Sequence, residues 1–287
     1  MRLFNLKKPM TAALLLLVFS TAIYAQKSPG GLMVFPKRVV FEGGKRNDIV
    51  NLVSQSDDTA SYAISFTHVE MQKDGEFKDA DSLPTKVKFC DSIVRFFPRQ
   101  VTIPPHGSQT ICLQYLKPKD LPAGEFRSHL FMREIERAKA LEIPRNDTDK
   151  TIAVAIKAIY GISIPVIVRN QTTPARVSMG AITVTPMDTS RKMAVTLDLN
   201  RSGDESVYGQ FIVMFKDKSG KETQLTFVKG IAVYVPLPTR TCTIPFRVPK
   251  GLDLAGGTIR VEYLTMPAEG KQTKETVLAS GELALSR

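Results

Sequence analysis

The residues of this sequence most able to do chemistry are three histidines and three cysteines, and their spacing argues against catalysis. His68, His106 and His129 fall on separate strand-like stretches or turns. No Gly-x-Ser-x-Gly elbow, His-Glu-x-x-His pair, phosphate-cradling glycine loop or Cys-x-x-Cys is present. The spacings of Cys90, Cys112 and Cys242 match no metal site, so no catalytic residue, metal or cofactor is expected and the chain does not read as an enzyme. Cys90 and Cys112 lie in the same half of the chain and could pair in an exported protein; the alternative is three small buried thiols.

The chemistry this chain does advertise is that of binding. In Thr151–Arg169 (TIAVAIKAIYGISIPVIVR) every even position from Ile152 to Val168 is apolar, whereas the odd positions include Lys157, Gly161, Ser163, Pro165 and Arg169. That period of two belongs to a strand with one buried face. Gly161, Pro165 and the β-branched content argue against a helix, and Lys157, Ser163 and Pro165 against a membrane span. Nineteen residues at about 3.3 Å each would reach about 60 Å, several times an ordinary strand. Two readings follow. The strand bends near Gly161 or Pro165 and lies wholly in a core, or its Ile152–Tyr160 end is lent to a partner that lacks a strand.

The elements around this row are short strands in a chain marked for export. Arg2, Lys7 and Lys8 precede the apolar run Ala12–Phe19, and Thr21–Ala25 reads as a cleavage site, so residues 1–25 are expected to be a signal peptide. No second run is long enough to span a membrane, and no membrane insertion is expected after cleavage. The signal holds three basic and no acidic residues, so its loss lowers the formal net charge from +11 to +8. A basic surface suits an anionic envelope or an acidic protein, but no block of Lys and Arg with interleaved aromatics suggests nucleic acid.

The length that remains suits two domains, placed at residues 26–169 and 170–287. In the first, Leu32–Phe41 with a break at Pro36, Asp48–Val53, Ala60–Val69, Ile93–Ile103, Gln109–Tyr115, Gly124–Ile135 and the long stretch read as strands, and residues 70–88 as a loop. In the second, the strands are Val177–Thr185, Met193–Leu199, Tyr208–Phe215, Glu222–Phe227, Gly230–Val235, Cys242–Val248, Thr258–Leu264 and Val277–Leu285. Helical patterns are nearly absent. Strand count and turn spacing predict an all-β chain of immunoglobulin-like sandwiches.

Three stretches carry a resemblance: Pro36–Gly43 (PKRVVFEG), Gly124–Ile135 (GEFRSHLFMREI) and Tyr160–Arg169 (YGISIPVIVR). In this order behind a signal peptide, the chain resembles the periplasmic chaperones of the chaperone–usher pathway, most in the style of the archaic or alternative branch. The second half is covered loosely, through Leu252–Leu264. The resemblance implies two immunoglobulin-like β-sandwich domains with a cleft between them, periplasmic localisation, and a role in pilus or fimbria assembly without catalysis. Its partners would be pilin subunits lacking a last strand and an outer-membrane usher that receives them. The chaperone's long strand would complete the subunit, with Ile152, Val154 and Ile156 as plugs and Ala158 and Tyr160 continuing the row.

The resemblance also implies two cations holding the subunit's C-terminal carboxylate. Arg38 matches one; the matching position of the other is Pro165, and Lys157 is the alternative on the same strand face. It further implies an interdomain charge cluster of Glu125, Arg169 and, more loosely, Asp253. The competing reading is an exported pilus subunit or adhesin, but residues 26–31 (QKSPGG) lack the alternating apolar pattern a donated extension needs.

Overall fold

In the computed structural model the described residues are 31–80, 85–135, 161–188, 191–266 and 274–286, and they form strands joined by turns and irregular segments, with no α-helix among them. The expected signal peptide, the plug positions Ile152, Val154, Ile156, Ala158 and Tyr160, and Lys157 lie outside them.

The first sandwich packs two sheets face to face. One has β1 (Leu32–Phe35), β3 (Asn47–Ser54), β9 (Ser108–Tyr115) and β7 (Val94–Phe97), in that order. The other has β2 (Val39–Phe41), β11 (Gly161–Asn170), β10 (Gly124–Ile135), β4 (Ala60–Thr67) and β8 (Gln100–Ile103). Alternate side chains fill the space between them, among them Phe41, Leu52, Ile103, Leu113, Leu130 and Met132. Two stretches that read as single strands each cross from one sheet to the other at a proline. Leu32–Phe41 divides at Pro36 into β1 and β2, and Ile93–Ile103 divides at Pro98 into β7 and β8. A proline cannot donate to a ladder, so it marks where one pairing ends and the next begins.

The expected loop at residues 70–88 is partly a hairpin, β5 (Val69–Met71) paired with β6 (Phe77–Asp79). Its polar composition hid a two-stranded ribbon that is stabilised by the other domain rather than by a hydrophobic face of its own.

The second sandwich packs β12 (Arg176–Met179), β14 (Lys192–Ser202), β13 (Thr183–Pro186) and β17 (Thr239–Arg247) against β16 (Glu222–Val233), β15 (Val207–Lys216), β18 (Thr258–Thr265) and β19 (Val277–Ala284). Leu197, Phe211, Phe215 and Tyr263 are fully buried between them. The stretches expected as separate strands at 222–227 and 230–235 form the single β16. Gly230, at φ +80°, is the extra residue where the β15–β16 register shifts, a bulge that glycine accepts without strain.

Candidate functional site

β11 is where the sandwich meets the rest of the molecule. Ile164, Val166 and Val168 point into the first core, the even row of the sequence pattern. Ile167, on the opposite face, is equally buried, because the second domain covers it: with Met71, Ala232 and Tyr234 it forms an apolar seam, and Val40, Tyr208 and Leu237 pack against it. β10 pairs with β11 along its whole described length. On the other side, β2 runs parallel and pairs only with Val166, Ile167 and Val168. Among the described residues, the edge of β11 from Gly161 to Pro165 therefore has no strand beside it.

Arg38 stands at the head of that edge. It immediately precedes β2, and the register of Val39 with Val166 brings it beside Pro165. It is half-buried, and its Cζ lies 4.5 Å from the ring centroid of Tyr208 of the second domain. No salt bridge joins it to a carboxylate among the described residues, and its Nε is buried without a partner. A neighbouring guanidinium, Arg127, is arranged differently. It is buried, lies 4.2 Å from the ring centroid of Tyr234, and donates from Nη2 to the Val69 carbonyl at 3.1 Å. Burial lowers its pKa from the ordinary arginine value, against the opposing pull of Tyr234, Glu125 and Glu70. Arg127 is part of the seam, whereas Arg38 has no carboxylate partner among the described residues.

The interdomain charge cluster centres on Arg169, near the end of β11. Arg169 donates from Nε to Glu125 at 3.2 Å, and from Nη1 to Glu42 at 3.0 Å, and its Nη1 is 3.2 Å from Glu205. Its Nη2 donates to the Ser206 carbonyl at 3.0 Å. Glu125 accepts in turn from the Ser206 N–H at 2.8 Å and from the Ser206 hydroxyl. Burial opposes the Arg169 charge, but Glu125, Glu205 and Glu42 outweigh it and raise its pKa. The second-domain acid is thus Glu205, with Ser206 beside it, and not Asp253. Asp253 is exposed and turns back on its own loop, accepting from the Ala255 N–H at 3.0 Å. The proposed Cys90–Cys112 disulfide is also corrected, for both thiols are free. Cys90 is buried with its thiol on the Val166 carbonyl, 3.3 Å away, while Cys112 sits between the inward Ile111 and Leu113 and so points out of the sheet.

The histidines stay apart, as their positions in sequence suggested. His68 lies 3.4 Å from Asp91, His106 lies 3.1 Å from Asp57, and His129 is buried against Phe77 and Tyr234. No group of three or more His, Cys, Asp or Glu among the described residues could hold a metal ion.

Sequence reasoning missed Tyr208, Tyr234, Glu205, Ser206 and Arg127. The signal in β10 was readable: Glu125, Arg127 and His129 share the face opposite Leu130 and Met132, and all three are buried. Three polar positions of one parity share that face, and it is the second domain that covers them.

No family model matches the sequence, and no curated protein does. Solved structures do match. The YadV chaperone is 12% identical with a TM-score of 0.43, over 89% of this chain and 100% of that one. The DraB chaperone of E. coli is 9% identical with a TM-score of 0.43, over 86% and 94%. The complex of CsuC with CsuE, from archaic chaperone–usher Csu pili of Acinetobacter baumannii, is 11% identical with a TM-score of 0.41, over 86% and 98%. All three are named as chaperones.

Proposed function

We propose that this chain is a periplasmic chaperone of the chaperone–usher type. Its first domain, residues 26–169, lends a strand to an incomplete pilin subunit, and the loaded chaperone delivers that subunit to an outer-membrane usher. The observation that carries this reading is the edge of β11 from Gly161 to Pro165, which no strand covers among the described residues and which begins beside a guanidinium that none of their carboxylates occupies. Upstream in sequence, the same even parity that fills the first core at Ile164, Val166 and Val168 continues through Tyr160, Ala158, Ile156, Val154 and Ile152.

Such a row can do for a partner's core what it does for its own. Main-chain bonds extend the partner's sheet, and alternate side chains plug its groove. Each buried Ile or Val contributes about 1.5–3 kcal/mol, so Ile152, Val154 and Ile156 together supply about 5–9 kcal/mol at most. Arg38 would take the subunit's terminal carboxylate and set the register, because a slip by one residue turns every plug away from the groove.

The test changes Val154 and Ile156 together to Asp and leaves their neighbours alone. A charged group in an apolar groove is expected to abolish co-purification of subunit from the periplasm while the chaperone's melting curve stays unchanged. A folded double variant that still captures subunit at the wild-type level overturns the strand-lending role. Subunit found by mass spectrometry in a one-to-one complex supports a chaperone; the chain itself found on assembled fibres supports a structural subunit instead.

A further inference from the structure

Arg38 belongs to the first domain, but the ring beneath its guanidinium belongs to the second. We infer that Tyr208 is a positioning residue for the carboxylate anchor: the second domain, through this ring, sets the plane in which Arg38 presents its N–H groups. This rests on the chaperone reading above and deepens it.

The argument starts from how a guanidinium divides its contacts. Its face is attracted to an aromatic ring, and its edge donates hydrogen bonds in the plane. A carboxylate partner would occupy that edge and compete with any ligand. A ring occupies only the face, so it orients the group and leaves the edge free for a planar two-oxygen acceptor such as a peptide's terminal carboxylate. Arg38 has its Cζ 4.5 Å from the Tyr208 centroid and no carboxylate partner among the described residues; its Nε is buried, so the two Nη groups are the ones that would meet such a ligand. A long side chain with several rotatable bonds needs such a support to hold one orientation before a ligand arrives.

Tyr208 is itself held. It packs against the seam cluster of Met71, Ile167, Ala232 and Tyr234. The bulge at Gly230 passes close to its phenol, and a Cβ on Gly230 would lie 3.5 Å from the Tyr208 hydroxyl oxygen. The second stack, Arg127 on Tyr234, uses the same device in closed form. There the guanidinium is buried and its Nη2 donates to Val69, while its Nε and Nη1 are buried without a partner. Of the two stacks, the Arg38 stack alone stands beside the open edge of β11. The anchor is then built correctly only when the two domains sit at the angle the Glu125–Arg169–Ser206 cluster sets.

The experiment measures the preference of the mature full chain for a free carboxylate. The probe is a synthetic peptide of alternating Val and Thr with a lysine-rich N-terminus, made with a free C-terminus and as its C-terminal amide. Wild type is expected to bind the acid about tenfold more tightly than the amide. Tyr208→Leu should lower that ratio to about threefold or less with the melting temperature retained, and Tyr208→Phe should restore it. Tyr208→Met replaces the leucine variant if the latter does not fold. Arg38→Ala should abolish the preference, and adding Tyr208→Leu to it should change nothing more.

The two readings fail differently. If Arg38→Ala abolishes the preference while folded Tyr208→Leu and Tyr208→Met keep the wild-type ratio, the positioning role is overturned and the anchor stands. If wild type does not distinguish acid from amide, or Arg38→Ala keeps the preference, the anchor itself is overturned.

Discussion

At the scale of single residues, this molecule hides its polar chemistry in a place where a half-exposed strand would normally meet water. His129 is 4% exposed, and burial, with Arg127 beside it, pulls its pKa down to about 3. The folded value therefore lies below the unfolded value near 6.5. Above pH 6.5 both states are neutral and the contribution to stability is fully present. Between about pH 6.5 and 3 the unfolded chain takes up a proton that the folded chain refuses, so stability is lost as pH falls. The expected loss from this group alone is about 2 kcal/mol on going from pH 7.5 to 5. Urea titrations of wild type and His129→Gln at both values check it, because the variant should lose correspondingly less. Equal losses in the two proteins would show that His129 does not titrate in this way.

At the scale of elements, the β5–β6 hairpin is a strut between domains. The Lys73 carbonyl accepts from the Thr241 N–H at 2.7 Å, and the Lys73 ammonium lies 3.5 Å from Asp198. Met71 contributes to the seam. At the tip, Arg240 lies flat against Gly75, where a Cβ would stand 2.3 Å from its Nη2, and Gly75 has φ +90°. Any side chain there must both strain the backbone and displace Arg240 from the Ala232 carbonyl, to which its Nη1 donates at 2.8 Å. Gly75→Val should cost about 1–3 kcal/mol and loosen the strut. Thermal melting, together with hydrogen exchange at the Thr241 amide, would reveal it. A variant with unchanged melting and a Thr241 amide as protected as before would remove the strut from the account.

At the scale of the whole molecule, two sandwiches with separate cores are joined by a seam with an apolar middle and a charged end. The Glu125 carboxylate is the centre of that end, with a side chain 1% exposed that accepts from Arg169 and twice from Ser206. Removing one partner of a buried set leaves the others uncompensated, which costs about 3–5 kcal/mol even where the intact set adds little net stability. Glu125→Ala is expected to lose about that much, and to turn one cooperative heat-capacity peak into two as the domains uncouple. Calorimetry of the full chain decides it, and a single peak at the wild-type temperature would show that the cluster does not couple the domains.

The sequence by itself determined what a local period can determine. Alternation in Gly124–Ile135 and Gly161–Arg169 specified strands and assigned Leu130, Met132, Ile164, Val166 and Val168 to one face. Pro36 and Pro98 stand where the strands change sheets, although only Pro36 was read as a break. Arg38 was singled out through the resemblance of Pro36–Gly43 rather than through any period. What covers a face is a different matter, since a period of two says which side chains share a side and nothing about what lies across from them. The hairpin where a loop was expected is local in its own pairing but rests against the second sandwich through the Thr241 N–H. The burial of Glu125, Arg127 and His129 and the ring of Tyr208 beneath Arg38 arise from residues far apart in sequence. So does the replacement of Asp253 by Glu205 and Ser206 in the charge cluster. Cys90 and Cys112 make the same point: membership of one domain suggested a pair, but strand parity in β9 turns the Cys112 thiol out of its sheet while Cys90, in the segment before β7, is buried against the Val166 carbonyl. Contacts of this kind depend on the distance closed when two sheets and then two domains pack together, and no local pattern of residues encodes that distance.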